Sequence, residues 1–196
     1  MLGLQEVNDK LDDIVRLTRD RWGAVEDRIG DNDILYRADR WDYIESETYD
    51  LNGDGHRHAT RAHLKHMPTG KTVTVLNIHL PSSGVGATVQ ARARRRLADV
   101  VDSIDGPLVL LGDLNTESEA PSGARGLLRA VGVEFIRQLV DVQNGNQPSH
   151  WNFGKNKPGD GWIDDIGVRD ATVTAARLKT MHDVSDHNAL LGRITF

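Results

Sequence analysis

Cysteine is absent from the 196 residues. That excludes a disulfide scaffold, a thiolate zinc site and a cysteine nucleophile, and it suits a reducing compartment, so a cytoplasmic location is expected. Long apolar runs are missing as well. No stretch approaches the ~20 residues that span a bilayer, and residues 1–30 carry charges throughout, so neither a membrane helix nor a signal peptide is expected. Positive charge is in deficit, with 24 Lys+Arg against 29 Asp+Glu and a formal charge of −5, which argues against a bulk electrostatic grip on nucleic acid. Proline is scarce (6) beside 19 Gly, 38% hydrophobic and 27% charged residues. This is the composition of an ordinary globular protein, and the length suits one domain over residues 1–196 with its own core.

What is present is a regular alternation of short apolar runs. Residues 2–7 read as the end of a buried strand, and 8–22 as a helix with Leu11, Ile14, Val15 and Leu17 inward. Residues 33–37, 41–49 and 57–67 read as strands. Pro68-Thr69-Gly70-Lys71 is a turn signal that joins the last of these to a strand at 72–80, with Val73, Val75, Asn77 and His79 on one face. Residues 88–104 carry Val89, Ala93, Leu97, Val100, Val101 and Ile104 at helical spacing, so the basic cluster Arg92, Arg94, Arg95, Arg96 is a solvated helix face. Residues 108–111 suit a buried strand and 123–131 a helix. Residues 162–168, 171–178 and 189–196 read as further strands. The order indicates α/β or α+β, with sheet packed on sheet or under helices.

Polar residues gather where these runs end, which is where a scaffold holds side chains with little freedom. The clusters are Gln5-Glu6, Asn77-Ile78-His79-Leu80, Gly112-Asp113-Leu114-Asn115, Ile163-Asp164-Asp165-Ile166 and Ser185-Asp186-His187. Singly, each has a plain explanation as a cap, a turn or a satisfied histidine. Jointly they are complete for metal-assisted hydrolysis of a phosphate ester. Glu6 and Asp186 offer hard oxygen ligands for Mg²⁺ or Mn²⁺, which would polarise a phosphoryl oxygen. His187 could take the proton of an attacking water, with a carboxylate such as Asp164 setting its tautomer. Asp113 and Asn115, one residue apart, could point the same way, one aligning water and the other donating an amide hydrogen bond.

In this order LQEV, NIHL, GDLN, WIDDI and SDH resemble the signature of the endonuclease/exonuclease/phosphatase superfamily, the DNase I-like metal-dependent phosphoesterases, from Gln5 to Asn188. The resemblance implies an α+β fold, a four-layer α/β/β/α sandwich, and in-line hydrolysis of a phosphomonoester or phosphodiester with Mg²⁺ and no covalent intermediate. Residue by residue, Glu6 resembles the metal-binding glutamate and Asp186 a second ligand beside the catalytic His187. Asp164 resembles that histidine's partner, and Asp113 and Asn115 the pair that orients the nucleophile and steadies the transition state. His79 stands where relatives carry a His or Tyr contacting the phosphate, more like the DNase and sphingomyelinase branches than the abasic-site endonucleases. The implied partner is a phosphate ester, with nucleic acid among the options; substrate-binding residues and oligomeric state are not given by these motifs.

Two features depart from the family pattern. Its opening strand and helix are missing before Met1, and Asp165 replaces a common aromatic or His, where an extra carboxylate could raise a neighbour's pKa or recruit another ion. The missing unit keeps open the alternative of a truncated, inactive phosphate-binding or partner-binding domain. Other motifs carry less. Residues 50–55 (DLNGDG) match the start of a calcium loop, but the twelfth position is Arg61, so a polar turn is expected. His56, His58, His63 and His66 split between strand registers. Trp151, Asn152 and Phe153 head an aromatic and basic loop, with Trp151 expected in the core. Tyr36-Arg37 ends a strand, where Arg37 could reach a substrate phosphate.

Overall fold

The computed structural model describes residues 1–7, 10–17, 21–27, 32–53, 57–151, 161–181 and 184–196. In chain order its elements are β1 (Leu2–Gly3), α1 (Leu11–Leu17), β2 (Trp22–Val25), β3 (Ile34–Arg37), β4 (Trp41–Asp50), β5 (His58–His66), β6 (Thr72–His79), α2 (Ala87–Asp102), β7 (Leu108–Asp113), α3 (Ala124–Ala130), β8 (Glu134–Phe135), α4 (Ile136–Leu139), β9 (Val142–Gln143), β10 (Asp164–Arg169), β11 (Thr172–Lys179) and β12 (Ala189–Thr195). A six-stranded sheet runs β4-β5-β6-β7-β10-β8, and two three-stranded sheets run β1-β3-β2 and β12-β11-β9.

The period-2 alternation of the strands decides how these layers stack. One face of the large sheet carries Leu76, Ile78, Leu108 and Leu110, which bury against Ala93, Leu97, Val100 and Val101 of α2 and Leu128 of α3. The other carries Ala62, Leu64, Val73, Val75, Val109, Ile166 and Val168, which meet Val25, Ile34, Val173 and Ala176 of the smaller sheets. Outside β3, α1 contributes Leu11 to a third cluster with Val7 and Leu35. Each fully buried Leu or Val stabilises the fold by roughly 1.5–3 kcal/mol relative to exposure, so the two faces of the large sheet hold the layers together. The result is the expected α/β/β/α order in an α+β fold, with the second β layer made of two pieces. Among the described residues no helix is long and apolar enough to cross a membrane.

The hairpin β5-β6 forms where the Pro68–Lys71 turn places it. Some expectations need correction. Helix α1 is shorter than residues 8–22, of which 8, 9 and 18–20 lie outside the described residues, and Trp22 opens β2. Leu17 is exposed, because six residues after Leu11 it sits about 240° round the helix, off the stripe that Leu11, Ile14 and Val15 form. The run 2–7 yields only the two-residue β1, antiparallel to β3.

Register then brings the polar strand ends together. Strands β6 and β7 are parallel with His79 beside Asp113, and β10 lies antiparallel on the other side of β7 with Asp164 beside Asp113. His79, Asp113 and Asp164 therefore stand in one row across three adjacent strands. Gly112 permits this close packing. Its φ is +132°, and a Cβ there would lie 2.0 Å from the carbonyl oxygen of Ile78.

Candidate active site

The row continues into a fourth residue. His187 Nδ1 lies 2.8 Å from Asp164 Oδ2, so the carboxylate accepts the Nδ1 proton and leaves Nε2 facing outward. The segment that carries His187 is clamped. Trp151 N donates to Asp186 O (2.9 Å), Asn188 N donates to Ser149 O (2.6 Å), and Trp151 Nε1 donates to Ser185 O (3.0 Å). Buried Ser149 ties the same segment to β10, because its Oγ accepts from both Ile163 N and Asp164 N.

His79 is held from the opposite side. Arg57 Nη1 lies 2.7 Å from His79 Nδ1; a guanidinium only donates, so Nδ1 is the accepting nitrogen and Nε2 carries the hydrogen. That Nε2 is 3.7 Å from Asp113 Oδ2 and 4.0 Å from Glu6 Oε1. Glu6 is 71% exposed at its side chain and has a left-handed φ of 58°. Buried Asn77 sets its place: the amide donates to Leu4 O and Asp33 O, and its Oδ1 accepts from Gln5 Nε2 at 2.6 Å. Gly3 makes room for that amide, since a Cβ there would lie 2.4 Å from Asn77 Oδ1.

Asn115 follows β7 with φ 49°. Its backbone N–H donates to Asp113 Oδ1 (2.6 Å), and its side-chain amide donates to Leu80 O (2.7 Å). One of the two amide hydrogens is thus committed to the backbone, which fixes the group beside Asp113. The Asp165 carboxylate is turned to a cation of the chain itself. It is buried against Arg125, whose Nε donates to Asp165 Oδ2 at 2.9 Å, while its other nitrogens donate to Thr116 O (2.6 Å) and Trp162 O (3.1 Å). One guanidinium thereby joins the loop after Asn115 to the entry of β10.

Burial and the crowding of acids together set the electrostatics. Burial raises the Asp113 carboxyl, and the neighbouring Asp164 raises it further, to about 6. For His187, burial opposes the charged ring, but the hydrogen bond to Asp164 and the charges of Asp164, Asp113 and Asp186 outweigh it and push the imidazole up to about 9. Beyond burial, both shifts reflect carboxylates crowded around one spot, a surplus of negative charge of the kind a divalent cation compensates. The donors are carboxylates with no thiolate, which fits a hard ion such as Mg²⁺ or Mn²⁺.

A stability prediction follows from the first shift. With its folded pKa raised from 3.8 to about 6, Asp113 favours the fold fully below 3.8 and loses that contribution as pH rises through about 6. In metal-free protein near pH 7 its ionised form costs up to about 3 kcal/mol. Asp113→Asn keeps an oxygen to accept from Asn115 N, so it raises the unfolding midpoint near pH 7 and not near pH 4. Equal midpoints at both pH values would show that burial of this charge is not costly.

Of the seven residues the motifs single out, His79, Asp113, Asp164 and His187 form one connected array, Asn115 braces it, and Glu6 borders it at His79. Asp186 flanks His187 and lies 3.8 Å from His150 Nε2. Among the described residues, the groups of three or more ligating side chains are Asp113–Asp164–His187 and His150–Asp186–His187; Glu6 belongs to neither. The sequence reading missed Arg57, Arg125, Ser149 and His150. Nearby motifs give little more. Asp50 Oδ1 caps Asn52 N and Gly53 N as a polar turn, with residues 54–56, His56 included, outside the described set. Residues 152–160, which hold Asn152 and Phe153, also lie outside it, and Trp151 is half-buried. Arg37 pairs with Asp39 rather than reaching the site.

Solved structures share this arrangement of layers. An endonuclease/exonuclease/phosphatase from Bacteroides vulgatus superposes with a TM-score of 0.81 at 21% identity, over 98% of this chain and 83% of that one. This chain has the endonuclease/exonuclease/phosphatase fold. A mannosyl-6-phosphatase of Bacteroides thetaiotaomicron matches with a TM-score of 0.70 at 18% identity, over 89% of this chain and 76% of that one. TDP2 of D. rerio, solved with a single-strand DNA product, matches at 0.73 and 19%, over 99% and 85%. No protein-family model matches the sequence, and no curated protein matches it.

Proposed function

We propose that this chain is a divalent-metal-dependent phosphoesterase of the endonuclease/exonuclease/phosphatase superfamily, acting by direct attack of water, with residues 1–196 forming one cytoplasmic domain. The observation that carries this reading is the 2.8 Å His187–Asp164 pair set beside the Asp113–His79 row. His79, Asp113 and Asp164 stand at the ends of three adjacent strands, and His187 bonds to the last of them, which supports a base with its orienting carboxylate beside a histidine able to face a phosphate.

In this reading His187 Nε2 takes the proton of the attacking water when a bound divalent cation offsets the carboxylates that otherwise hold the ring protonated, with a pKa of about 9, and Asp164 holds the ring and stabilises the imidazolium that forms. Asp113 aligns the water. Asn115, fixed by its bond to Leu80 O, offers its remaining amide hydrogen to the phosphate. His79 donates from Nε2 to a phosphoryl oxygen, with Arg57 enforcing that tautomer. Glu6 and Asp186 supply carboxylates for Mg²⁺ or Mn²⁺, which when bound supplies electrostatic stabilisation of a phosphoryl oxygen. The partner is a phosphate ester. Neighbours of this fold include a sugar phosphatase and an enzyme holding a DNA product, so a monoester and a nucleic-acid end are both within reach.

Glu6→Gln and Asp186→Asn should each raise the Mg²⁺ concentration for half-maximal hydrolysis about 10–100-fold, the scale on which altered metal surroundings weaken affinity. Side-by-side rates on p-nitrophenyl phosphate and bis(p-nitrophenyl) phosphate then sort monoester from diester preference. An unchanged metal requirement in both variants would remove these two residues from the metal site.

A further inference from the structure

Beside the proposed catalytic row lies His150, a histidine that the hydrolytic reading does not use, and it forms a further donor set with Asp186 and His187, which that reading does use. His150 Nε2 is 3.8 Å from Asp186 Oδ2, its ring centroid is 4.8 Å from that of His187, and one ligating atom from each of His150, Asp186 and His187 lies within 4.8 Å of the others. Two imidazoles and one carboxylate form a nitrogen-rich set, which suits borderline transition metals rather than Mg²⁺, whose preference is for oxygen and retained water. Ligating atoms around a four-coordinate zinc stand about 3.3 Å apart. Small side-chain rotations would close the observed spacing.

The surroundings are those of a prepared site. His187 Nδ1 is already bonded to Asp164, the carboxylate–histidine arrangement that orients a metal-ligating Nε2 and raises its basicity. The backbones of residues 150 and 187 form a β-bridge. The bonds Trp151 N to Asp186 O and Asn188 N to Ser149 O hold the two segments in register. Three donors from segments 36 and 37 residues apart in sequence are thereby fixed by main-chain contacts that do not depend on the ligating side chains.

We propose that His150, Asp186 and His187 bind Zn²⁺ at a site sharing Asp186 with the magnesium site, and that occupancy inhibits hydrolysis. Inhibition follows because the ion displaces the proton of His187 Nε2 to solvent and occupies the lone pair of the atom that must take the proton from water, and because it draws Asp186 away from Mg²⁺. The inhibitory part rests on the proposed phosphoesterase function, whereas Zn²⁺ binding itself does not.

Two measurements separate these parts. First, the metal-free 196-residue chain is titrated with Zn²⁺ against a chromophoric chelator, and Co²⁺ is added in parallel to read coordination from its visible bands. One Zn²⁺ per chain is expected, with the intense bands of four- or five-coordinate Co²⁺, and affinity falling at least about tenfold in His150→Ala and His150→Gln. His63→Ala, a histidine bonded to Thr74 on the β5–β6 sheet, should bind as the parent does. Affinity unchanged in both His150 variants, or Co²⁺ with only the weak bands of its aquo ion, would overturn the site. Second, Mg²⁺-supported hydrolysis is titrated with Zn²⁺. His150→Ala should keep its rate within about threefold and require at least about tenfold more Zn²⁺ for half-inhibition. Stoichiometric zinc binding without inhibition would overturn the inhibitory role. A parent chain inactive with Mg²⁺ that still binds Zn²⁺ through His150 would instead count against the phosphoesterase reading and for the site.

Discussion

Replacing His187 with alanine is expected to lower metal-supported hydrolysis about 10²–10⁴-fold, the contribution of a positioned general base, while leaving the fold intact. The ring is only partly buried and, among the described residues, makes one side-chain hydrogen bond, to Asp164 at 2.8 Å. The backbone contacts of its segment run through Asp186 O and Asn188 N and persist without the imidazole. Asp164→Asn should fall in the same direction by about 10²-fold or more, because it removes the charge that holds the ring and stabilises its protonated form. Because base and orienting group act as a unit, the double variant should lose little beyond His187→Ala. Rates measured at saturating Mg²⁺ beside matched thermal melts check this. A His187→Ala chain that keeps the parent rate would take the proton acceptor elsewhere.

The largest stability effect is expected at Arg125→Ala, a loss of about 3–5 kcal/mol. Arg125 is 2% exposed and Asp165 3%. Burial pushes the Asp165 carboxyl up, and the Arg125 guanidinium pulls it back. Removing the guanidinium strands that carboxylate in the interior and also frees the carbonyls of Thr116 and Trp162. Lysine would not replace it, since one ammonium lacks the planar fork that reaches three acceptors at once. Arg125→Met combined with Asp165→Leu should recover most of the loss, because replacing both partners leaves no buried charge. Chemical denaturation of the three chains decides the matter; a single variant within about 1 kcal/mol of the parent would mean that water compensates this pair. Activity should fall too, since Arg125 anchors the loops on either side of the Asp113–Asp164 row.

The contrast between these two positions shows what a sequence makes legible. Asp113 was readable because it closes a short apolar run, and Asp164 and His187 because each stands just where a strand begins, at the start of β10 and two residues before β12; an abrupt change between apolar residues and Asp, Asn or His marks the place where a strand meets the edge of the core. Leu108 to Leu111 followed by Gly112-Asp113 is such a place. Their convergence also depends on register, and the parallel β6–β7 pairing that puts His79 beside Asp113 has no local signature. Arg125 was invisible for a different reason. It lies inside a plain amphipathic helix, where an arginine is usually solvated, and its partner is 40 residues away. Arg57 and His150 are likewise defined by contacts across 22 and 36 positions. Short elements escaped as well: β8 and β9 have two residues each, too few to display a period. The reading of helix α1 ran on to Trp22, which opens β2, because residues 18–22 (TRDRW) hold no proline or glycine to mark an end.

Hydrolysis of bis(p-nitrophenyl) phosphate by the 196-residue chain, with Mg²⁺ or Mn²⁺ and in parallel with EDTA, bears most directly on the central claim. Turnover that requires the ion, stops with EDTA and disappears in His187→Ala is the expected result. A folded chain that hydrolyses neither this diester nor p-nitrophenyl phosphate with either ion would contradict it, and would leave the Asp164–His187 pair to a binding role.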